Sequence, residues 1–328
     1  MNRRRAIRTM ALLAGSAYIA RATGQGKPRL KRIGFHGSGS AQSIPRSLET
    51  FRKGMAERGW VEGRDYFLDA RYADNRGELI DAIAAELVAA QPDLLLATGD
   101  TSARALARKT KTIPIVFIIS SDPIGSGYAA TLVRPGRNMT GLTSFAPDLA
   151  AKRLQLLREA LPALSHVGLL FNPAEPQATV QVNAYQETGA RLGIRITPLE
   201  LKQSEEAQAV ISRGADQRIE ALALTQGPLI NTGARVIAQT ALAHKLPTIA
   251  PFSRHADDGI LLAYAPHILE NFRLAAGYAD RILKGAKPAE LAIEQPSKFE
   301  LAVNAKTARA IGVKMPRSIL VRADRVIE

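Results

Sequence analysis

Residues 113–142 read IPIVFIISSDPIGSGYAATLVRPGRNMTGL, and this stretch decides the fold. Ile113, Ile115, Val116, Phe117, Ile118 and Ile119 form an almost continuous apolar run of strand length, as a strand buried on both faces requires. The run stops at a polar tip, Ser120-Ser121-Asp122-Pro123. A short helical stretch is expected next, and a Gly/Pro/Asn-rich segment at 134–138 then leads into Met139-Thr140-Gly141-Leu142. Ligands of open parallel sheets sit beyond the carboxyl ends of the strands. Two hydroxyls and a carboxylate at such an end are placed to receive a small polar group. Asp122-Pro123 is equally a pair that caps and starts a helix.

Outward from this stretch the chain alternates strand and helix. Residues 32–36 make a first strand that ends in Gly37-Ser38-Gly39-Ser40, and Leu48, Phe51 and Met55 follow at helical spacing. Residues 66–72 alternate as a second strand. Leu79, Ile83, Leu87 and Ala90 mark a helix over 78–90, broken by Pro92, and a third strand over 93–97 runs into Thr98-Gly99-Asp100-Thr101-Ser102. The pattern restarts after a join near 143–148, with a helix over 149–161 and a strand over 166–171 that finishes at Asn172-Pro173. Further strands fit 193–198, 221–225, 246–250, 260–263 and 299–303, with late helices at 269–283 and 307–311. Such alternation implies parallel sheet covered on both faces, here as two doubly wound α/β units.

The chain has 328 residues, enough for two ordinary domains. Its net charge of +14 raises the question of nucleic acid, but five arginines fall within the first 22 residues and the rest are spread without a basic run interleaved with aromatics. A solvated basic surface accounts for them. There is no cysteine, which excludes disulfides, thiol catalysis and cysteine metal sites. Residues 1–22 read as a signal peptide. Arg3, Arg4, Arg5 and Arg8 precede a short apolar run over 10–20, followed by the small-x-small triplet Ala20-Arg21-Ala22. The paired arginines resemble a twin-arginine signal, with Ala6 where a large apolar residue is usual. Export to the periplasm as a protein without a lipid anchor is the expectation.

Enzymatic motifs are thin. Gly37-x-Gly39 is followed by Gln42, so the dinucleotide fingerprint is incomplete, and neither a P-loop lysine motif nor a G-x-S-x-G elbow occurs. The five histidines are scattered without metal-ligand spacing. Neither a metal nor a cofactor is expected. What remains is a set of polar strand ends: Ser38, Ser40, Thr98, Thr101, Ser120, Ser121 and Asp122 in the first half, and Asn172, Glu175, Gln226, Ser253 and Tyr264 in the second. Each alone is a common turn-former. Two facing rows, with Phe35, Phe171 and Phe252 nearby, describe a cleft for a small molecule.

Several segments carry a resemblance: Phe51-Arg52-Lys53-Gly54 with Gly59-Trp60-Val61-Glu62-Gly63, Asp122-Pro123, Arg134-Pro135-Gly136-Arg137-Asn138-Met139-Thr140-Gly141, Lys152-Arg153-Leu154, Asn172-Pro173, Ile282-Leu283-Lys284-Gly285, Gln295-Pro296-Ser297-Lys298-Phe299-Glu300 and Arg322-Ala323-Asp324-Arg325. From about Lys31 onward the chain resembles the solute-binding proteins of ABC importers, in the tryptophan-type substrate-binding family. The resemblance implies a type I periplasmic-binding-protein-like fold, two doubly wound parallel-sheet lobes joined by a hinge. Lobe one would be 30–143 plus 265–292, and lobe two 147–262 plus 297–328. It also implies a monomer without catalytic residues that captures a small organic solute, an amino acid or aromatic compound among the candidates. The partners would be an ABC permease and its cytoplasmic ATPase. Ser120-Ser121-Asp122 departs from many relatives, so ligand identity does not transfer. The alternatives are an exported α/β enzyme using Ser38 or Asp122, and the ligand-sensing core of a transcription regulator.

The two roles open to Asp122 differ in what Asp122→Ala does. A ligand contact predicts binding about 10- to 100-fold weaker, because each 1.4 kcal/mol is a factor of ten, with unliganded stability unchanged. A cap predicts roughly 1 kcal/mol of lost stability with affinity intact. Melting temperature without ligand, measured beside the dissociation constant, separates them.

Overall fold

The computed structural model describes residues 29–41, 45–144 and 146–328, so the expected signal peptide lies outside the described residues. The first sheet contains β1 (Lys31–Gly37), β2 (Tyr66–Tyr72), β3 (Leu94–Thr98), β4 (Ile115–Ser120) and β5 (Met139–Thr143), in the order β2-β1-β3-β4-β5 and parallel throughout. The second contains β6 (His166–Phe171), β7 (Arg195–Glu200), β8 (Ala221–Leu224), β9 (Thr248–Ala250) and β10 (Leu262–Pro266), parallel in the order β7-β6-β8-β9-β10. It is extended by antiparallel β11 (Phe299–Asn304) and then β12 (Arg325–Ile327). Each sheet reverses its strand order beside its first strand, and that is where doubly wound sheets open a crevice.

Helices cover both sheets. On the first, α1 (Pro45–Ala56) buries Leu48, Phe51 and Met55, spaced for one helical face, while α2 (Gly77–Ala89) and α3 (Gly99–Lys109) pack together on the opposite side. On the second lie α4 (Ala146–Ala160), α5 (Ala178–Leu192), α6 (Ala207–Asp216) and α7 (Pro228–Ala243). The helix α8 (Ile268–Leu283) follows β10 yet returns to the first sheet, where Phe272, Ala275, Ala276 and Ala279 join the core of Ile33, Phe35 and Phe51. Burial of each such large side chain contributes roughly 1.5–3 kcal/mol. Two short helices, α9 (Ala305–Ile311) and α10 (Arg317–Arg322), close the chain on the second lobe. No helix among the described residues is long and apolar enough to cross a membrane.

The chain crosses between the lobes three times: after β5, after β10 and before β11. The crossings are tied together. Glu294 N–H donates to Gly141 O and Thr143 N–H to Glu294 O, both at 3.0 Å, so the third crossing pairs with the edge of β5. His267 N–H donates to Lys298 O at 3.0 Å and joins the second crossing to the third.

Several local expectations are corrected. No helix follows Ser121, and residues 123–127 form successive turns that end where Gly127 enters the left-handed region at φ +71°. The third strand runs directly into a helix after Thr98. Gly99, at φ +76°, makes the sharp strand-to-helix turn and α3 starts there, so Asp100 and Thr101 sit in its first turn. The strand expected at 193–198 begins at Arg195, because the reversal that ends α5, with Ile194 N–H donating to Gly189 O, uses the first two residues. The strand expected at 260–263 is displaced to Leu262–Pro266.

Gly141 sits opposite Phe117 in the β4–β5 pairing at φ +147°, and a Cβ there would lie 1.9 Å from Phe117 O. Gly141→Ala therefore adds backbone strain to overpacking and is expected to cost roughly 2–4 kcal/mol. Urea unfolding of the variant beside the parent checks this. A loss below 1 kcal/mol would show that β5 can move off β4.

Candidate functional site

Because parallel strands share a direction, their carboxyl ends collect on one edge of each sheet, and the crossings set the two edges face to face. Between them lies a cleft of about 660 Å³. From the first lobe it takes the loop after β1 (Gly37 to Ser40), the start of α3 (Thr98 to Thr101) and Ser121; from the second it takes Glu175 to Gln177, Gln226 to Pro228 and Phe252 to Arg254. Tyr72, Ile119, Phe252 and Phe272 supply the apolar wall. Phe35 lies just behind it, its ring centroid 5.6 Å from that of Tyr72 and 6.5 Å from that of Phe272.

Eight of the expected residues line this cleft: Ser38, Ser40, Thr98, Thr101, Ser121, Glu175, Gln226 and Ser253. Four do not. Ser120 is fully buried behind the lining and donates its hydroxyl to Asp100 Oδ1 at 2.6 Å. Asp122 is turned into its own loop, where Oδ1 accepts Gly125 N–H at 2.8 Å, so its geometry is that of a turn residue. Asn172 Oδ1 accepts Ala174 N–H at 3.0 Å, and its amide points to Glu175. The Tyr264 ring stacks on Phe299 at 5.6 Å. Of the three phenylalanines expected nearby, only Phe252 reaches the lining.

Asp100 is the principal residue missing from the expected set. Its carboxylate accepts both Ser120 Oγ–H and Ser121 N–H, the latter at 2.9 Å, so the Ser-Ser tip of β4 positions a carboxylate from α3. Burial pushes its pKa above the usual carboxylate range, against the pull of those hydrogen bonds. The available signal was an acid just after a glycine at a strand end, in Thr98-Gly99-Asp100-Thr101. Gln177 and Gln181 were missed as well. Gln181 exchanges two hydrogen bonds with the Gln226 backbone, at 2.7 and 3.0 Å, and fixes the loop before α7.

The lobes touch along one side of the cleft. Thr101 Oγ1 donates to Glu175 Oε2 at 2.9 Å, Arg104 donates to Pro176 O at 3.3 Å, and Gln177 hydrogen-bonds Ser126. Burial raises the pKa of Glu175, with Thr101 and Asn172 opposing and the charge of Asp100 adding to it. On the far wall Arg254 has surface exposed to the cleft, yet protein crowds it and lowers its pKa, opposed by Asp258. Asp258 also lies 3.6 Å from Arg235. No group of three His, Asp or Glu side chains converges to hold a metal among the described residues.

The family of ABC transporter substrate binding proteins matches residues 40–327. The chain belongs to that family. This substrate-binding protein is 23% identical over 284 residues to the tyrosine-binding protein of Clostridioides difficile (strain R20291), covering 87% of this chain and 81% of that one. It shares the fold of an ABC domain from Streptococcus pneumoniae in complex with L-Trp, with a TM-score of 0.85 at 22% identity over 91% of this chain and all of that one. A ligand-free, open substrate-binding protein with adhesive properties from Clostridium difficile superposes with a TM-score of 0.69 at 25% identity, over 91% of this chain and 99% of that one. A substrate-binding protein of this family holds a small-molecule solute for an ABC transporter, and the cleft is where two such lobes meet.

His255, beside Arg254, is fully buried with neither ring nitrogen hydrogen-bonded, and its ring meets Phe252 edge-on. Burial first, then the charges of Arg254 and Arg153, push its pKa down to about 3. The folded state thus keeps the ring neutral while the unfolded chain binds a proton below about pH 6.5. Stability present above that pH is lost as pH falls toward 3, by roughly 2 kcal/mol at pH 5 at one pKa unit per 1.4 kcal/mol. His255→Leu is expected to show a smaller drop in Tm between pH 7.5 and pH 5 than the parent. An equal drop would remove His255 from the acid response.

Proposed function

We propose that this protein is the periplasmic component that captures an aromatic amino acid and delivers it to an ABC permease powered by a cytoplasmic ATPase. The observation that carries the reading is the cleft itself, with polar strand ends from both lobes around an apolar wall of Tyr72, Phe252, Phe272 and Ile119. Its volume of about 660 Å³ falls within the usual range for small-ligand sites. The relatives named for tyrosine and found with L-Trp support the aromatic class. The lobes, 30–143 plus 265–292 and 147–262 plus 297–328, close on the solute as hinged units, and the inter-lobe contacts of Thr101, Arg104 and Gln177 are those of an arrangement drawn together. Closure is stabilised when a ligand contacts both lobes, which makes binding tight and reversible.

The protein acts as a monomer without cofactor, nucleic acid or covalent chemistry. Against an enzyme, among the described residues Ser38 and Asp122 have no histidine at hydrogen-bond distance. The close Ser102–His36 pair, 2.9 Å apart, is fully buried and bound on its other nitrogen by the Ile80 carbonyl, out of reach of a substrate.

Purified protein is expected to gain melting temperature with tryptophan, tyrosine or phenylalanine, and not with sugars or polyols. At a concentration 100 times the dissociation constant the gain corresponds to about 2.7 kcal/mol. A response to sugars alone would overturn the aromatic amino-acid reading, and turnover of a small molecule would overturn the carrier reading.

A further inference from the structure

Asp100 and Glu175 line the same cleft from opposite lobes, near enough for the charge of Asp100 to act on Glu175, and Thr101, the neighbour of Asp100, donates to Glu175 at 2.9 Å. Among the described residues every donor that reaches them is neutral: Ser120 and Ser121 for Asp100, and Thr101, Asn172 and the Leu229 N–H at the start of α7 for Glu175. Among the described residues neither carboxylate forms an ion pair with a lysine, arginine or histidine. Two residues beyond Leu229, Asn231 also lines the cleft, and its side-chain oxygen is buried without a hydrogen-bond partner. The site thus gathers acceptors from both lobes and supplies no cation to them. The cleft's own arginines, Arg235 and Arg254, lie with Asp258 instead.

A buried charge without a counter-charge is costly, and two of like sign brought together are costlier. As the lobes approach, the two carboxylates come together, so closure without an occupant carries this penalty. A cationic nitrogen placed between them removes it by making charge-assisted hydrogen bonds to both sides.

We infer that the solute is recognised through a cationic nitrogen held between Asp100 of one lobe and Glu175 of the other, and that this contact decides which solutes close the lobes. The ligand contact expected of Asp122 thus moves to the carboxylate that the Ser120-Ser121 tip positions. The inference rests on the cleft being the solute site, but not on the solute being aromatic.

The test uses matched pairs in which hydroxyl replaces the amine: tyrosine against 4-hydroxyphenyllactate, phenylalanine against phenyllactate, leucine against 2-hydroxyisocaproate, with agmatine as a cation that lacks a carboxylate. Titration calorimetry on the protein is expected to show each bound amine at least about 100-fold tighter than its hydroxy partner. Asp100→Asn should weaken the amine about 10- to 100-fold and leave the hydroxy partner unchanged, a selectivity that a merely structural role would not produce. Glu175→Gln keeps an acceptor for Thr101 and should act in the same direction, which guards against a misfolded Asp100 variant. Non-aromatic amines bound with Asp100 dependence would end the aromatic reading and uphold this one. Hydroxy acids bound as tightly as the amino acids, or dissociation constants unmoved in both variants, would overturn it and leave the cleft as the solute site.

Discussion

The structure depends on one constraint: the two sheets are joined by three crossings that are hydrogen-bonded to one another. A single crossing would leave the lobes free to reorient. Here Glu294 accepts from Thr143 and donates to Gly141, and His267 donates to Lys298, so the first and second strands of the hinge are each tied to the third. The carboxyl edges of both sheets are therefore held opposite each other, and every functional statement about the cleft follows from that placement.

The electrostatics of the cleft are asymmetric. On one side the protein brings Asp100 and Glu175 together and shields them with hydroxyls, an amide and backbone N–H groups; on the other it places Arg235 and Arg254 with Asp258. Neutral donors reduce the cost of burying a carboxylate without cancelling its charge, so both pKa values stay raised. A solute bearing both signs would complement both sides, as an amino acid does. The aromatic wall adds apolar area but little directional information. Phe35 fixes the places of Tyr72 and Phe272 from behind, which suits a wall that must stay still while the lobes move.

Asp122 and Asp100 show where a linear reading fails. In the sequence Asp122 stands directly at the tip of the most apolar strand, while Asp100 follows a weaker one. Position at a strand tip does not by itself place a side chain in the cleft. In the folded chain Gly125 N–H captures the nearer acid, and the serines beside it turn to hold the acid that arrives from α3. The tip reaches the cleft through the carboxylate that it positions. Asn172 behaves similarly, bracing Glu175 from outside the lining.

What the sequence by itself determined was the local architecture. The bounds of β2 and β6 agree with the apolar and alternating runs read at 66–72 and 166–171, and the alternation of strand with helix required parallel sheets with ligands at their carboxyl ends. The resemblance carried by dispersed segments supplied the two-lobe form. The resemblance also placed 265–292, and so α8, with the first lobe, whereas only the tertiary structure decided the strand order, the packing of α8 on the first sheet's core and the identity of the cleft carboxylates. These depend on contacts between residues far apart in the chain: Thr101 with Glu175, Ser120 with Asp100, Phe272 with Phe35. Periodicity reports which face of an element is apolar, but not which neighbour covers it, and a polar strand end does not reveal whether its hydrogen bonds go to a ligand or to another strand's tip.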